Sequence, residues 1–171
     1  MLTPTRSNAP AVVGKSGAHV IQAADFFQGA LTTALTTDEI IVEVRLPAPD
    51  GWDASYQKLR RRGSFDFPVL GVAAWVKWEQ EAGSRERGRV VEARIVLGGV
   101  ASWPQEVPEA GAALVGTDLS DEGVAAAADA AYRPAKPMDN TDFDLSWRKQ
   151  MTRVYVTRAL EELRQRRKAA T

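Results

Sequence analysis

The order of two hydrophobic rhythms constrains this chain most: alternating apolar residues fill its middle, and helical spacing fills its end. Ile40, Val42, Val44 and Leu46 share one face of an extended segment, with Glu43 and Arg45 on the other, which predicts a half-buried strand. Pro47 and Pro49 end it. Residues 56–62 read as a second strand with long polar side chains, and 69–78, apolar on both faces, as a central one. A charged hairpin loop over 80–88 follows. Val91, Ala93, Ile95 and Leu97 then alternate with Glu92 and Arg94 in a fourth strand that stops at Gly98-Gly99. Four strands in succession predict an antiparallel sheet.

The remainder is helical. Residues 107–115 follow Pro104 and stop at Gly116, and Ser120 is placed to cap a helix over 121–132 with acids in its first turn. A connector with Pro134 and Pro137 leads to the longest helix, begun by Asp142 or Asp144 and running to about residue 167. Phe143, Trp147, Met151 and Val154 form one apolar stripe on it; Val156, Leu160 and Leu163 form another. Residues 1–24 read as loop and a short strand, and 23–35 as a helical turn followed by a loop. The expected class is α+β: an antiparallel sheet of three to four strands followed by three helices packed on one face.

What is missing narrows the chemistry. The 171 residues include no cysteine, which excludes disulfides, thiolate nucleophiles, zinc–thiolate sites and iron–sulfur ligation by this chain. The single histidine, His19, reads as a half-exposed strand residue rather than a triad base, because no nucleophile elbow accompanies it. Twenty-two cationic residues balance twenty-two acidic ones, so no global field draws nucleic acid or an anionic membrane. No run approaches the roughly 18 apolar residues of a membrane span. No targeting signal opens the sequence, so a cytoplasmic location is expected.

Three motifs have plain structural readings. Gly14-Lys15-Ser16 lacks the earlier glycine of a phosphate-binding loop, since Ala9 stands there, and strand-like residues follow it; a turn is expected. Asp139, Asp142 and Asp144 lack the calcium-loop spacing and suit helix capping. Arg164, Arg166, Arg167 and Lys168 read as a solvated helix end favoured by the dipole.

The segment from Tyr56 to Pro68 is different. Lys58, Arg60, Arg61 and Arg62 crowd positive charge onto one expected strand, followed by Gly63-Ser64, two aromatics and Asp66. Such crowding is costly unless an anionic group lies opposite: a pyrophosphate, a flavin edge or a partner's carboxylates. An edge strand protected from aggregation by its charges accounts for it equally well.

Read with its neighbours, this segment resembles the flavoprotein (medium) subunits of molybdenum hydroxylases, the carbon monoxide dehydrogenase and xanthine dehydrogenase family. The resemblance rests on four blocks in order. They are Asp25-Phe26-Phe27-Gln28-Gly29 through Leu46-Pro47; Tyr56, Lys58 and Arg61-Arg62 with Asp66-Phe67 and Gly71-Val72-Ala73; 93–101 with Pro104; and Trp147-Arg148-Lys149 through Leu160. It covers nearly the whole chain from about residue 12. It implies a carbon monoxide dehydrogenase flavoprotein C-terminal domain over 36–171, preceded over 1–35 by a remnant of the FAD-binding domain and linker.

By the same resemblance, the cofactor is FAD, shared with an N-terminal domain whose glycine-rich phosphate loops are not in this sequence. Electrons reach it from a molybdenum-cofactor large subunit through a 2Fe-2S small subunit and leave to an external acceptor. Lys58, Arg61 and Arg62 would lie near the flavin or its phosphates, and Asp66 and Phe67 near the isoalloxazine edge. The chain would be an oxidoreductase subunit with no catalytic or metal-binding residue of its own. The competing expectation is a non-catalytic α+β interaction module without flavin.

Overall fold

The computed structural model describes residues 9–46, 48–63, 65–79, 88–141 and 143–169. The expected charged hairpin loop, apart from Gly88, lies outside them, as do Pro47 and Asp142. The chain forms two compact units that divide between Asp50 and Gly51.

In the first unit β1 (Ala9–Gly14) lies between β2 (Gly17–Val20) and β5 (Ile40–Arg45), antiparallel to both. The turn joining β1 to β2 is Gly14-Lys15-Ser16, as its residues predict. His19 stands on β2, its ring 3.6 Å from the Glu39 carboxylate. After the single turn α1 (Ala23–Phe26), a small hairpin of β3 (Phe27–Gly29) and β4 (Thr32–Thr33) occupies residues expected to be loop. The expected burial of β5 is not found: Ile40, Val42 and Val44 are 65%, 57% and 61% exposed. A bulge lies between its partners Ala11 and Val12, and β5 is an edge of its sheet.

The second unit carries the main core. Its four-stranded antiparallel sheet runs in the order β6 (Trp52–Leu59), β7 (Leu70–Trp78), β8 (Val90–Gly98), β9 (Gln105–Glu106). The fourth strand is thus the short β9 rather than β5, and β6 starts earlier and stops sooner than expected. Leu70, Val72, Ala74 and Val76 of β7 and Ile95 and Leu97 of β8 turn inward and are fully buried or nearly so. Each of the buried valine, leucine and isoleucine side chains among them contributes roughly 1.5–3 kcal/mol. Val91 falls out of that inward set because the register slips between Lys77 and Trp78.

Three helices cover this face: α2 (Pro108–Ala112), α3 (Asp121–Tyr132) and α4 (Leu145–Ala169). Pro108 opens α2, where its missing N–H costs nothing. Ser120 Oγ accepts from Gly123 N at 3.3 Å and caps α3; Asp144 Oδ1 accepts from Trp147 N at 2.7 Å at the start of α4. Gly111 lets α2 sit directly on β8, since a Cβ there would stand 2.4 Å from the Ala93 carbonyl oxygen. The alanines of α3 (Ala127, Ala128, Ala131) allow equally close packing. On α4 the second expected stripe is buried. The first is not: the row that enters the protein is Arg148, Thr152, Val156, Ala159 and Leu163, while Trp147 is 39% exposed.

Candidate cofactor-binding site

The end of β6 and the β6–β7 connection carry the expected site residues. The connection is closed at its base by Val69 N donating to Leu59 O at 2.9 Å. Lys58 is the last cation still in the strand, opposite Gly71. Its neighbour Gln57 faces α4, donating to Glu162 Oε2 at 2.7 Å, so Lys58 projects from the sheet face that the helices leave uncovered. Tyr56 stands on that same face, 62% exposed, with its ring against Gly71. Arg60, Arg61 and Arg62 lie beyond the strand and are exposed. The expected crowding of four cations within a strand is therefore replaced by one strand lysine and a basic loop.

Within that loop Arg62 and Asp66 are paired with each other. The Asp66 carboxylate accepts from the Arg62 backbone N–H at 3.0 Å and from its guanidinium at 3.1 Å, while Asp66 N donates to Gly63 O at 3.1 Å. The side-chain hydrogen bond from Arg62 holds the Asp66 carboxyl below the usual aspartate range. The Arg62 guanidinium also lies 5.3 Å from the centre of the Phe65 ring. Part of the anionic partner expected for this cluster is thus Asp66 itself. Phe65 and Phe67 are 78% and 88% exposed, leaving two large apolar rings uncovered beside the cations.

A buried arginine fixes the base of the loop. Arg148, on the inward row of α4, is 1% exposed. Its Nη2 donates to Val69 O at 3.0 Å and Gly99 O at 2.7 Å, and its Nη1 to Met138 O at 2.7 Å and Asn140 Oδ1 at 3.0 Å. One planar fork thereby joins the ends of three connections. Burial lowers its pKa from the ordinary arginine value. Gly99, at φ +76°, completes the junction: a Cβ there would meet Pro68 O at 3.1 Å and Val69 O at 3.2 Å. Nothing in the residue pattern marks Arg148, because an arginine within an amphipathic helix ordinarily faces water. Tyr56 was visible only as part of a motif; Gly71, the strand glycine its ring lies against, was the available signal.

The basic end of α4 is more constrained than a solvated helix end. Arg164 donates to Asp121 at 2.5 Å and to Leu119 O at 3.2 Å, Arg166 pairs with Glu162, and Arg167 lies over Trp78. These contacts pin the helix across the sheet and the start of α3. Among the described residues no group of three or more histidines or acids is arranged to hold a metal.

Sequence and structure comparisons place this arrangement in a known setting. The medium chain of carbon monoxide dehydrogenase from Afipia carboxidovorans is 30% identical over 158 residues, 92% of this chain and 52% of that protein. The FAD-binding subunit of an Escherichia coli aldehyde oxidoreductase is 35% identical over 115 residues, 67% of this chain and 31% of that protein. The solved structure of reconstituted CO dehydrogenase from Oligotropha carboxidovorans superposes with a TM-score of 0.81 at 30% identity, over 94% of this chain and 54% of the matched one. The chain spans about half the length of these medium chains. Residues 54–163, the sheet, the loop and the helices described above, match the CO dehydrogenase flavoprotein C-terminal domain, and the chain belongs to that family.

Proposed function

We propose that this chain is part of the FAD-containing electron-transfer subunit of a molybdenum hydroxylase. The observation that carries the reading is the match to medium, FAD-binding subunits across 92% of the chain in the carbon monoxide dehydrogenase case. The residues present fit one wall of a flavin site. Lys58 and Arg61 offer charge to phosphate, and the uncovered rings of Phe65 and Phe67 offer apolar area to a planar heterocycle. Arg62 and Asp66, paired with each other, hold the loop's shape, and Arg148 holds its base. The glycine-rich phosphate loops that would complete the site are not in this sequence, so on this reading flavin is shared with another domain.

A bound flavin supplies two-electron storage with one-electron release. The chain's own contribution is to bind and orient it while metal centres reside in a molybdenum-cofactor large subunit and a 2Fe-2S small subunit. The complex would work in the cytoplasm; no described helix is long and apolar enough to cross a membrane. Within the chain, residues 1–35 would be what remains of the FAD-binding domain and its linker.

A second reading, a non-catalytic interaction module, is favoured by one observation: Asp66 already satisfies Arg62 without any ligand. Reconstitution with the partner subunits separates the two. Lys58→Ala and Asp66→Asn are expected to lower flavin content and acceptor reduction several-fold. Unchanged flavin and turnover in both variants would leave the interaction module as the better account.

A further inference from the structure

The inward row of α4 carries one residue whose type the core does not ask for. An aliphatic side chain at position 148 would suit the row it shares with Val156, Ala159 and Leu163. Arg148 stands there instead, and each of its two terminal nitrogens serves two acceptors. Nη2 lies between Val69 O, at 3.0 Å, and Gly99 O, at 2.7 Å, and so ties the end of the β6–β7 loop to the turn after β8. Nη1 lies between Met138 O, at 2.7 Å, and Asn140 Oδ1, at 3.0 Å, in the connector before α4.

The connector has a further tie to that turn, Lys136 N donating to Val100 O at 2.8 Å. The loop is held at Val69, and from two directions. The N–H of Val69 donates to Leu59 O of β6 at 2.9 Å, and its C=O accepts from Arg148 of α4. Gly99 keeps the turn close enough for Nη2 to reach both carbonyls, since a Cβ there would stand 3.1 Å from Pro68 O and 3.2 Å from Val69 O.

We propose, on the flavin reading given above, that Arg148 is a positioning residue of the cofactor site. Its fork sets where residues 60–68 leave the sheet, and through them where Arg61, Asp66 and Phe67 stand toward the flavin. Arg148 acts through the loop rather than on the cofactor. The requirement is for a fork and not for a charge alone. A lysine at 148 would keep the cation but bring one nitrogen to acceptors now shared between two, so at least one segment would be released. A carbonyl buried without its donor is costly, and the segment that owns it opens more often.

Trypsin cuts after lysine and arginine, so Arg60, Arg61 and Arg62 make the loop its own reporter. In the 171-residue chain, Arg148→Lys is expected to raise native-state cleavage after these residues, read from fragment masses, about tenfold or more, as for one lost hydrogen bond to a charged group. Gly99→Ala presses on the same junction without touching Arg148 and is expected to raise it too. Leu163→Ala, a core variant on the same helix, is the control: it lowers global stability without touching the loop's base. Urea unfolding followed by fluorescence allows cleavage to be compared at equal folded fraction. In the complex reconstituted with its partner subunits, Arg148→Lys is expected to weaken flavin retention several-fold and Leu163→Ala to leave it native. Loop cleavage that rises no more in Arg148→Lys and Gly99→Ala than in Leu163→Ala overturns the positioning role, whatever flavin does. If cleavage rises while Arg148→Lys retains flavin and Lys58→Ala loses it, the loop's position does not govern the cofactor and the role is again overturned. If cleavage rises and both variants retain flavin, the flavin reading itself fails.

Discussion

Two strands carry nearly the same pattern and meet opposite fates. In β5, Ile-Val-Glu-Val-Arg-Leu alternates aliphatic and charged residues; in β8, Val-Glu-Ala-Arg-Ile-Val-Leu does the same. Ile95 and Leu97 of β8 are 0% and 1% exposed, whereas Val44 of β5 is 61% exposed. The difference lies in what each strand is offered. In β8, α2 seats on the strand, α3 packs on α2, and α4 spans the neighbouring strands. Within its own unit β5 lies against β1, and its aliphatic side chains stay exposed. Alternation records that a face is suited to burial; it carries no information about what does the burying.

The largest effect should therefore separate the two strands directly. Leu97→Ala is expected to cost about 2–5 kcal/mol, through lost transfer energy and a cavity beneath the helices. Val44→Ala is expected to stay within about 0.5 kcal/mol, as at other exposed sites. All five tryptophans lie in the second unit, so urea unfolding followed by fluorescence reports Leu97→Ala. Far-ultraviolet circular dichroism is needed to follow β5. A comparable loss in Val44→Ala would show that β5 is covered after all.

Gly111→Ala asks why β8 is covered. Its Cβ would press on the Ala93 carbonyl, a backbone atom that cannot swing aside as a flexible side chain does. The expected cost is about 1–3 kcal/mol, the usual penalty for overpacking. A neutral result would mean that α2 can lift from β8 without loss, and the contrast with β5 would then rest on α3 and α4 alone.

The same contrast explains which parts of this fold could be read from the sequence. β7 and β8 were legible because long aliphatic runs with period two have few other uses. The Ser120 cap was legible because it follows from one residue's local chemistry, whereas α2 ends at Ala112, short of the expected stop at Gly116. The two-residue β4 and β9 and the three-residue β3 were too short to leave a period. On α4 the aromatic ring of Trp147 drew the predicted stripe one position off. The inward row holds Arg148 and Thr152, polar residues whose burial depends on backbone carbonyls contributed by distant segments. For the candidate site, the expected residues fall at the end of β6 and on the β6–β7 connection. The sequence placed Arg61 and Arg62 in a strand because it could not show that Val69 closes the loop at Leu59.

The charged faces of the two strands also differ, and pH provides the finest test. Arg94 of β8 reaches across to Glu106 of β9, donating to its two carboxylate oxygens at 2.9 and 2.6 Å. That hydrogen bonding, more than the Coulomb attraction, holds the Glu106 carboxyl below the ordinary glutamate value and raises Arg94. A carboxyl depressed in the folded state contributes stability that is complete above its unfolded pKa, about 4.3, and disappears as pH falls through the lower folded value. The pair is partly exposed, so the contribution is small, in the range of surface ion pairs. Glu106→Gln is expected to leave stability near pH 7 almost unchanged and to flatten the decline below about pH 4.3. On β5, among the described residues, Glu43 and Arg45 pair with each other within one strand rather than across to a neighbour. If Glu106→Gln leaves the acid decline as steep as before, the cross-strand pair contributes nothing measurable to holding β9 on β8.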